Sequence, residues 1–166
     1  PQKPIPLIKQ QKAKEIILND LKAIDYTQYR KEQEILVEQV VLTGLPANYE
    51  NESAIISDKT VVIPHQIQYT EYLEKSLFYI QHKKWKNALV RFQEILRSFP
   101  NDVNAHFYAG WCSYNLSQFD AASIHFSACL QLEYSNFNEE STWYLALSLK
   151  AIGKKEIARE LFEEMK

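Results

Sequence analysis

One triplet returns along this chain and limits what it can fold into. Ala-x3-Phe occurs at Ala88 and Phe92, at Ala122 and Phe126, and at Ala158 and Phe162. The alanines stand 34 residues apart (88 to 122) and then 36 (122 to 158). A four-residue step puts both side chains on one face of a helix, a turn apart. Each triplet follows another helical pattern, over 68–82, 103–117 and 139–153, so the chain from Tyr69 onward reads as paired helices with no strand between them. The boundary residues agree with this reading. Asp102 is placed to cap the helix from Val103, Asn136 with Glu139 forms a capping pair, Gly153 stands where a left-handed residue ends a helix, and Pro100 closes the first unit.

Small residues at fixed places predict close helix crossings. Ser76, Gly110 and Ala146 in the first helices are expected to face Ala88, Ala122 and Ala158 in the second. A glycine inside a helix costs about 1 kcal/mol relative to alanine, and a packing role accounts for Gly110.

The period and the placement of Ala, Phe and Pro resemble the tetratricopeptide repeat (TPR) family over roughly Tyr69 to Lys166. Ala88, Phe92 and Pro100, then Ala122, Phe126 and Cys129, then Ala158 and Phe162 carry the likeness in the second helices. Tyr72, Ser76 and Tyr79, Ala109 and Gly110, and Leu145 and Ala146 carry it in the first. The family's tryptophan is missing from its own slot, and Tyr134 stands where a proline is usual. The resemblance implies an all-α, TPR-like solenoid of three helix-turn-helix repeats, 69–102, 103–136 and 139–166, behind a non-repeat extension, 1–68.

That extension predicts mixed structure. Ile16, Ile17, Leu21 and Ile24 suggest a helix from about Ile8 to Ala23. Asp25 and Gly44 bracket a segment in which Val37, Val40 and Val41 favour a strand, and the caps incline the reading to a second helix. Beyond Pro46, the runs Ala54–Ile56 and Val61–Ile63 around Ser-Asp-Lys-Thr predict a short hairpin or extended segment ending at Pro64.

Composition narrows function mainly by exclusion. The chain has 166 residues, 46% hydrophobic and 24% charged, with net charge −2, which gives no general field to draw in nucleic acid. No apolar run approaches the roughly 18 residues of a membrane span, so direct membrane insertion of this piece is not expected. A start at Pro1, with Met165 as the single methionine, reads as a fragment of a longer chain, membrane-anchored or exported. Compartment is left open by the sequence. Cys112 and Cys129 fit neither a disulfide framework nor a zinc motif. His65, His82, His106 and His125 fall in separate elements without metal-ligand spacing, and Gly44, Gly110 and Gly153 are too isolated for a phosphate loop. Lys83, Lys84 and Lys86 around Trp85 read as a solvated turn. No catalytic residue, metal or cofactor is expected.

In the family resembled, first helices line a concave surface where partners bind. The stripe so placed is Leu73, Leu77 and Ile80, then Phe107, Trp111 and Tyr114, then Trp143, Leu147 and Lys150. Large apolar residues stand where a clamp for acidic C-terminal tails needs Lys, Arg and Asn, and Asn104 and Asn115 alone would not restore it. The expectation is a non-catalytic protein-protein interaction scaffold with a protein or peptide partner in an apolar, aromatic groove. The alternative is an assembly protein, self-associating as a homo-oligomer through repeat edges or tethered to a cell-envelope complex. So apolar a groove calls for a cover: a foreign peptide, a second copy, or the chain's own residues 1–68, where the 45–68 segment folds back on Phe107, Trp111 or Trp143, or else packs on the convex face or caps the edge of the first unit.

Overall fold

The computed structural model describes residues 10–43 and 59–166. Among them six helices follow one another: α1 (Tyr69–Gln81), α2 (Trp85–Ser98), α3 (Val103–Asn115), α4 (Phe119–Cys129), α5 (Asn138–Ala151) and α6 (Lys155–Glu164). Each packs on the next, and α3 also meets α5. The turns within the pairs, 82–84, 116–118 and 152–154, share one backbone path. Their middle residues, Lys83, Ser117 and Gly153, have φ of 56°, 59° and 87°. The following N–H reaches five residues back, Lys84 to Tyr79, Gln118 to Ser113 and Lys154 to Leu149, at 2.8, 2.8 and 2.9 Å. This is the left-handed closure that satisfies the last carbonyls of a helix. The geometry recurs although His-Lys-Lys, Leu-Ser-Gln and Ile-Gly-Lys have little in common.

The small residues are buried as the sequence predicts, Ser76, Ala88, Ala122 and Ala146 at 0% exposure. At Gly110 the nearest side chain is the Phe126 ring. A Cβ there would lie 3.0 Å from the ring of Phe126, so the glycine makes room for an aromatic side chain one turn beyond Ala122. Asp102 caps α3, its Oδ1 accepting from the Ala105 amide at 2.8 Å. Asn136 does not cap α5: the helix starts at Asn138, behind Phe137, and has no side-chain cap.

The helix expected from Ile8 to Ala23 is replaced by a hairpin. Strands β1 (Glu15–Leu18) and β2 (Leu21–Ile24) pair antiparallel, Leu18 opposite Leu21 and Glu15 opposite Ile24. Their two-residue turn has φ of 49° at Asn19 and 60° at Asp20. Paired positive φ values make a type I′ turn, whose twist suits a hairpin, and Asn and Asp tolerate that conformation best after glycine. A single 3-10 turn, Tyr26–Gln28, follows, capped by Asp25.

The second expected helix is also a strand. β3 (Glu34–Thr43) pairs antiparallel with β4 (Lys59–Gln68), Ile35 opposite Ile67 and Val41 opposite Val61. The β-branched residues prevail over the end signals Asp25 and Gly44. Val61–Ile63 therefore pairs with β3, and the expected partner run Ala54–Ile56 lies outside the described residues. β4 runs directly into α1, and the Tyr69 amide donates to the Gln33 carbonyl at 2.6 Å. The ribbon packs on α1 and α2, at the edge of the first helix pair. The fold is thus mostly helical with two small sheets, instead of all-α.

Candidate functional site

The β1–β2 hairpin lies across the face made by α1, α3 and α5, and its register dictates how it is held. Leu18 and Leu21 flank a two-residue turn as a hydrogen-bonded pair, so Lys22 and Ile24 aim their main-chain groups away from β1. Both meet α3. The Ile24 amide donates to Asn104 Oδ1 at 2.7 Å, and Asn104 Nδ2 donates to the Ile24 carbonyl at 2.9 Å. The same Nδ2 donates to the Tyr69 hydroxyl at 2.8 Å, which fixes the orientation of this fully buried amide. One helical turn on, the Tyr108 hydroxyl donates to the Lys22 carbonyl. The side chain of Asn104 thus does for β2 what a neighbouring strand would do.

A second amide repeats the arrangement. Asn136, in the loop between α4 and α5, accepts from the Ala13 amide and donates to the Ala13 carbonyl, both at 2.8 Å. Beside it Gln11 pairs in parallel with the loop, its amide donating to Glu133 at 2.7 Å and its carbonyl accepting from Ser135 at 3.2 Å. This use of Asn136 explains why it is free of the cap role.

Side chains complete the seat. Lys22 Nζ is 2.5 Å from Glu140 Oε1, 2.8 Å from the Asn136 carbonyl, and 4.8 Å from the centre of the Phe137 ring. Ala23 and Ile24 are fully buried. The Tyr26 hydroxyl accepts from the Val103 amide at 2.8 Å, meeting an N–H that the start of α3 leaves without a helical partner. The turn rests on α1: Asn19 donates to the Glu74 carbonyl and Gln81 to Asp20.

Arg30 ends the docked segment inside a ring of aromatic faces, its Cζ 4.1 Å from the Tyr26 and Tyr69 ring centres and 3.7 Å from that of Phe99. Nη2 is 3.0 Å from Oδ2 of Asp102, which has no exposed surface. Burial raises the Asp102 pKa above the usual carboxylate value, with the Arg30 charge acting against that rise. Arg30 Nε and Nη2 and Asp102 Oδ2 are buried without a partner in hydrogen-bond geometry among the described residues. A cleft of about 530 Å³ opens beside this pair, between Tyr26, Tyr29, Phe99 and Tyr134.

The stripe expected to line an open groove divides in two. Leu73, Leu77, Ile80 and Phe107 are buried core, at 0 to 4% exposure, and offer no surface. Trp111, Tyr114 and Leu147 are half-buried, while Trp143 and Lys150 are exposed. Phe107 stacks on Phe137 at 4.3 Å between centroids, and Trp111 lies among Trp85, Tyr108 and Tyr144. The part of the α1, α3 and α5 face that the hairpin occupies is the one carrying Glu74, Asn104, Tyr108 and Glu140, beside this stripe. Of the placements expected for the 45–68 segment, its described part, residues 59–68, takes the edge of the first helix pair, in the ribbon, and not the groove.

Asn104 and Asn136 are the residues that sequence reasoning did not assign to this task. The only local signal was an amide side chain in the first turn of α3, three residues before Phe107, and it does not by itself point to a distant partner. His106 and His125 also meet, Nδ1 to Nδ1 at 3.2 Å. Burial, with the adjacent His106, lowers the His125 pKa to about 4. Cys112 and Cys129 are buried free thiols with pKa values pushed up to about 12, the opposite of nucleophile activation. Among the described residues no group of three or more His, Cys, Asp or Glu is arranged to hold a metal ion, and no helix is long and apolar enough to cross a membrane. No known protein-family profile matches the chain, and no curated protein matches it.

Proposed function

We propose that this chain is a non-catalytic protein-interaction module, a TPR-like array of three helix pairs whose first helices grip an extended polypeptide. The observation that carries the reading is the two-point hold of Asn104 on both main-chain groups of Ile24. Asn136 does the same to Ala13. Such contacts read backbone and tolerate many sequences, while pockets for alternate side chains add selection, as in strand addition to a sheet edge. The equal turns at Lys83, Ser117 and Gly153, spaced as the alanines are, support the repeat reading from the backbone side. The test is a displayed random-peptide library panned on the chain opened by Ile24→Asp. Enriched peptides whose binding is lost on Asn104→Ala support the proposal. A library without any Asn104-dependent binder overturns it.

A second reading, assembly of copies through the face shared by α4, α5 and α6, has one observation in its favour. Ile124 and Ile157 are 68% and 49% exposed on a cleft of about 560 Å³ that Leu145, Leu149 and Leu161 also line. A second copy is the occupant that reading names.

A further inference from the structure

The segment seated on the α1, α3 and α5 face is itself a description of what fits there. Along Leu21–Tyr26 the helices meet four side chains in order. Lys22 faces the carboxylate of Glu140, the Asn136 carbonyl and the Phe137 ring. Ala23 and Ile24 are closed off completely, and Tyr26 takes the Val103 amide on its hydroxyl. Asp25 is the exception. Its carboxylate bonds to Thr27 and pairs with Lys14 in its own segment, so nothing in the helices selects that residue.

We propose that residues 21–26 are a built-in ligand occupying the place of a partner, and that the partner is an extended polypeptide presenting a basic, a small, an aliphatic, any, and an aromatic residue, in the order of Lys22 to Tyr26. This rests on the reading of the α1, α3 and α5 face as a polypeptide site, and adds to it which polypeptide and how the site is kept closed.

Three features make the internal ligand replaceable. Its principal hold on α3 is through main-chain groups, which any extended peptide supplies equally. Its sheet has two strands of four residues each, below what is stable alone in water, and Ile17 of β1 is 66% exposed. Its far end is anchored by the Arg30–Asp102 pair, whose buried Nε, Nη2 and Oδ2 lack good hydrogen bonds and would regain water on release. Against these stands the tether. A segment on the same chain acts at an effective concentration near the millimolar range, so a partner must match the pattern closely to compete.

A fluorescent synthetic peptide with the sequence of residues 12–30 tests this on the full chain. It should bind Ile24→Asp at least tenfold more tightly than wild type, and adding Asn104→Ala should remove that gain. A peptide carrying Lys22→Glu should bind the opened chain at least tenfold more weakly. In wild type, which needs no substitution, excess peptide should speed hydrogen exchange at the Ala13 and Ile24 amides. Equal binding to the open and native chains, or exchange rates that excess peptide leaves unchanged, would overturn the proposal. If the library yields Asn104-dependent binders unlike Lys-Ala-Ile-x-Tyr while this peptide fails, the polypeptide site stands and the built-in ligand falls.

Discussion

At the scale of single residues, the groove depends on positions where one atom decides the outcome. Gly110 lacks the Cβ that would strike Phe126, and the Phe126 ring is fully buried between Phe107 and Tyr144, at centroid distances of 5.9 and 5.5 Å. Gly110→Ala gains about 1 kcal/mol in helix propensity. Against this, overfilling a packed site costs about 1 to 3 kcal/mol, and the ring has nowhere to retreat. The expected net result is a loss of about 1 kcal/mol, read as a lower urea midpoint at unchanged slope. A higher midpoint would show that the α3–α4 contact has slack. Asn104 illustrates what a sequence conceals at this scale. An asparagine in a helix's first turn is ordinary on paper, and its meaning comes from Ile24, which is 80 residues away.

At the scale of elements, the helix pairs were legible and the strands only in part, at Val61–Ile63, for different physical reasons. Helix pairing shows in local sequence because Ala-x3-Phe, Asp102, Pro100 and Gly153 act on their immediate neighbours. The β1–β2 stretch Glu-Ile-Ile-Leu-Asn-Asp-Leu-Lys-Ala-Ile satisfies a helical stripe as well as a hairpin, and what decides is Asn104, far along the chain. The Asn-Asp pair was the one local hint. In the helix turns, Lys83 and Ser117 hold the left-handed φ that Gly153 holds without strain. Lys83→Gly and Ser117→Gly should each stabilise by about 0.5 to 1 kcal/mol, because a side chain in that region costs roughly 1 to 2 kcal/mol, partly offset by glycine's greater freedom when unfolded. Gly153→Ala should lose a similar amount, and thermal midpoints check all three. The α3–α4 pair carries a pH dependence as well. His106 Nε2 lies 2.8 Å from the Pro100 carbonyl, so that nitrogen bears the proton and Nδ1 accepts from His125. A proton added to His125 is disfavoured by burial and by the adjacent His106. With a pKa near 4 folded and 6.5 unfolded, the unfolded chain alone binds protons across that interval. This contribution is fully present above pH 6.5 and is lost as pH falls towards 4, a difference on the order of 3 kcal/mol. Urea midpoints should fall over that range in wild type and change less in His125→Gln.

At the scale of the whole molecule, the chain arranges two β-hairpins around one helical array, one filling its face and one packed at its first edge. The face shared by α4, α5 and α6 keeps Ile124 and Ile157 exposed, and the assembly reading makes a plain prediction there. Sedimentation at rising concentration should show a species of doubled mass that Ile157→Glu abolishes, whereas a single monomeric species throughout would retire that reading. The β1–β2 hairpin has a consequence for how the protein is made. Ile24 precedes Asn104 by 80 residues and Ala13 precedes Asn136 by 123. At about 5 to 20 residues per second, the strand waits roughly 4 to 16 seconds outside the ribosome before α3 follows it. By the time the helices form their face, the strand that closes it is already present and tethered alongside. A newborn molecule therefore exposes the α1, α3 and α5 face only briefly, and a strand from a neighbouring copy would have to displace one already tethered alongside.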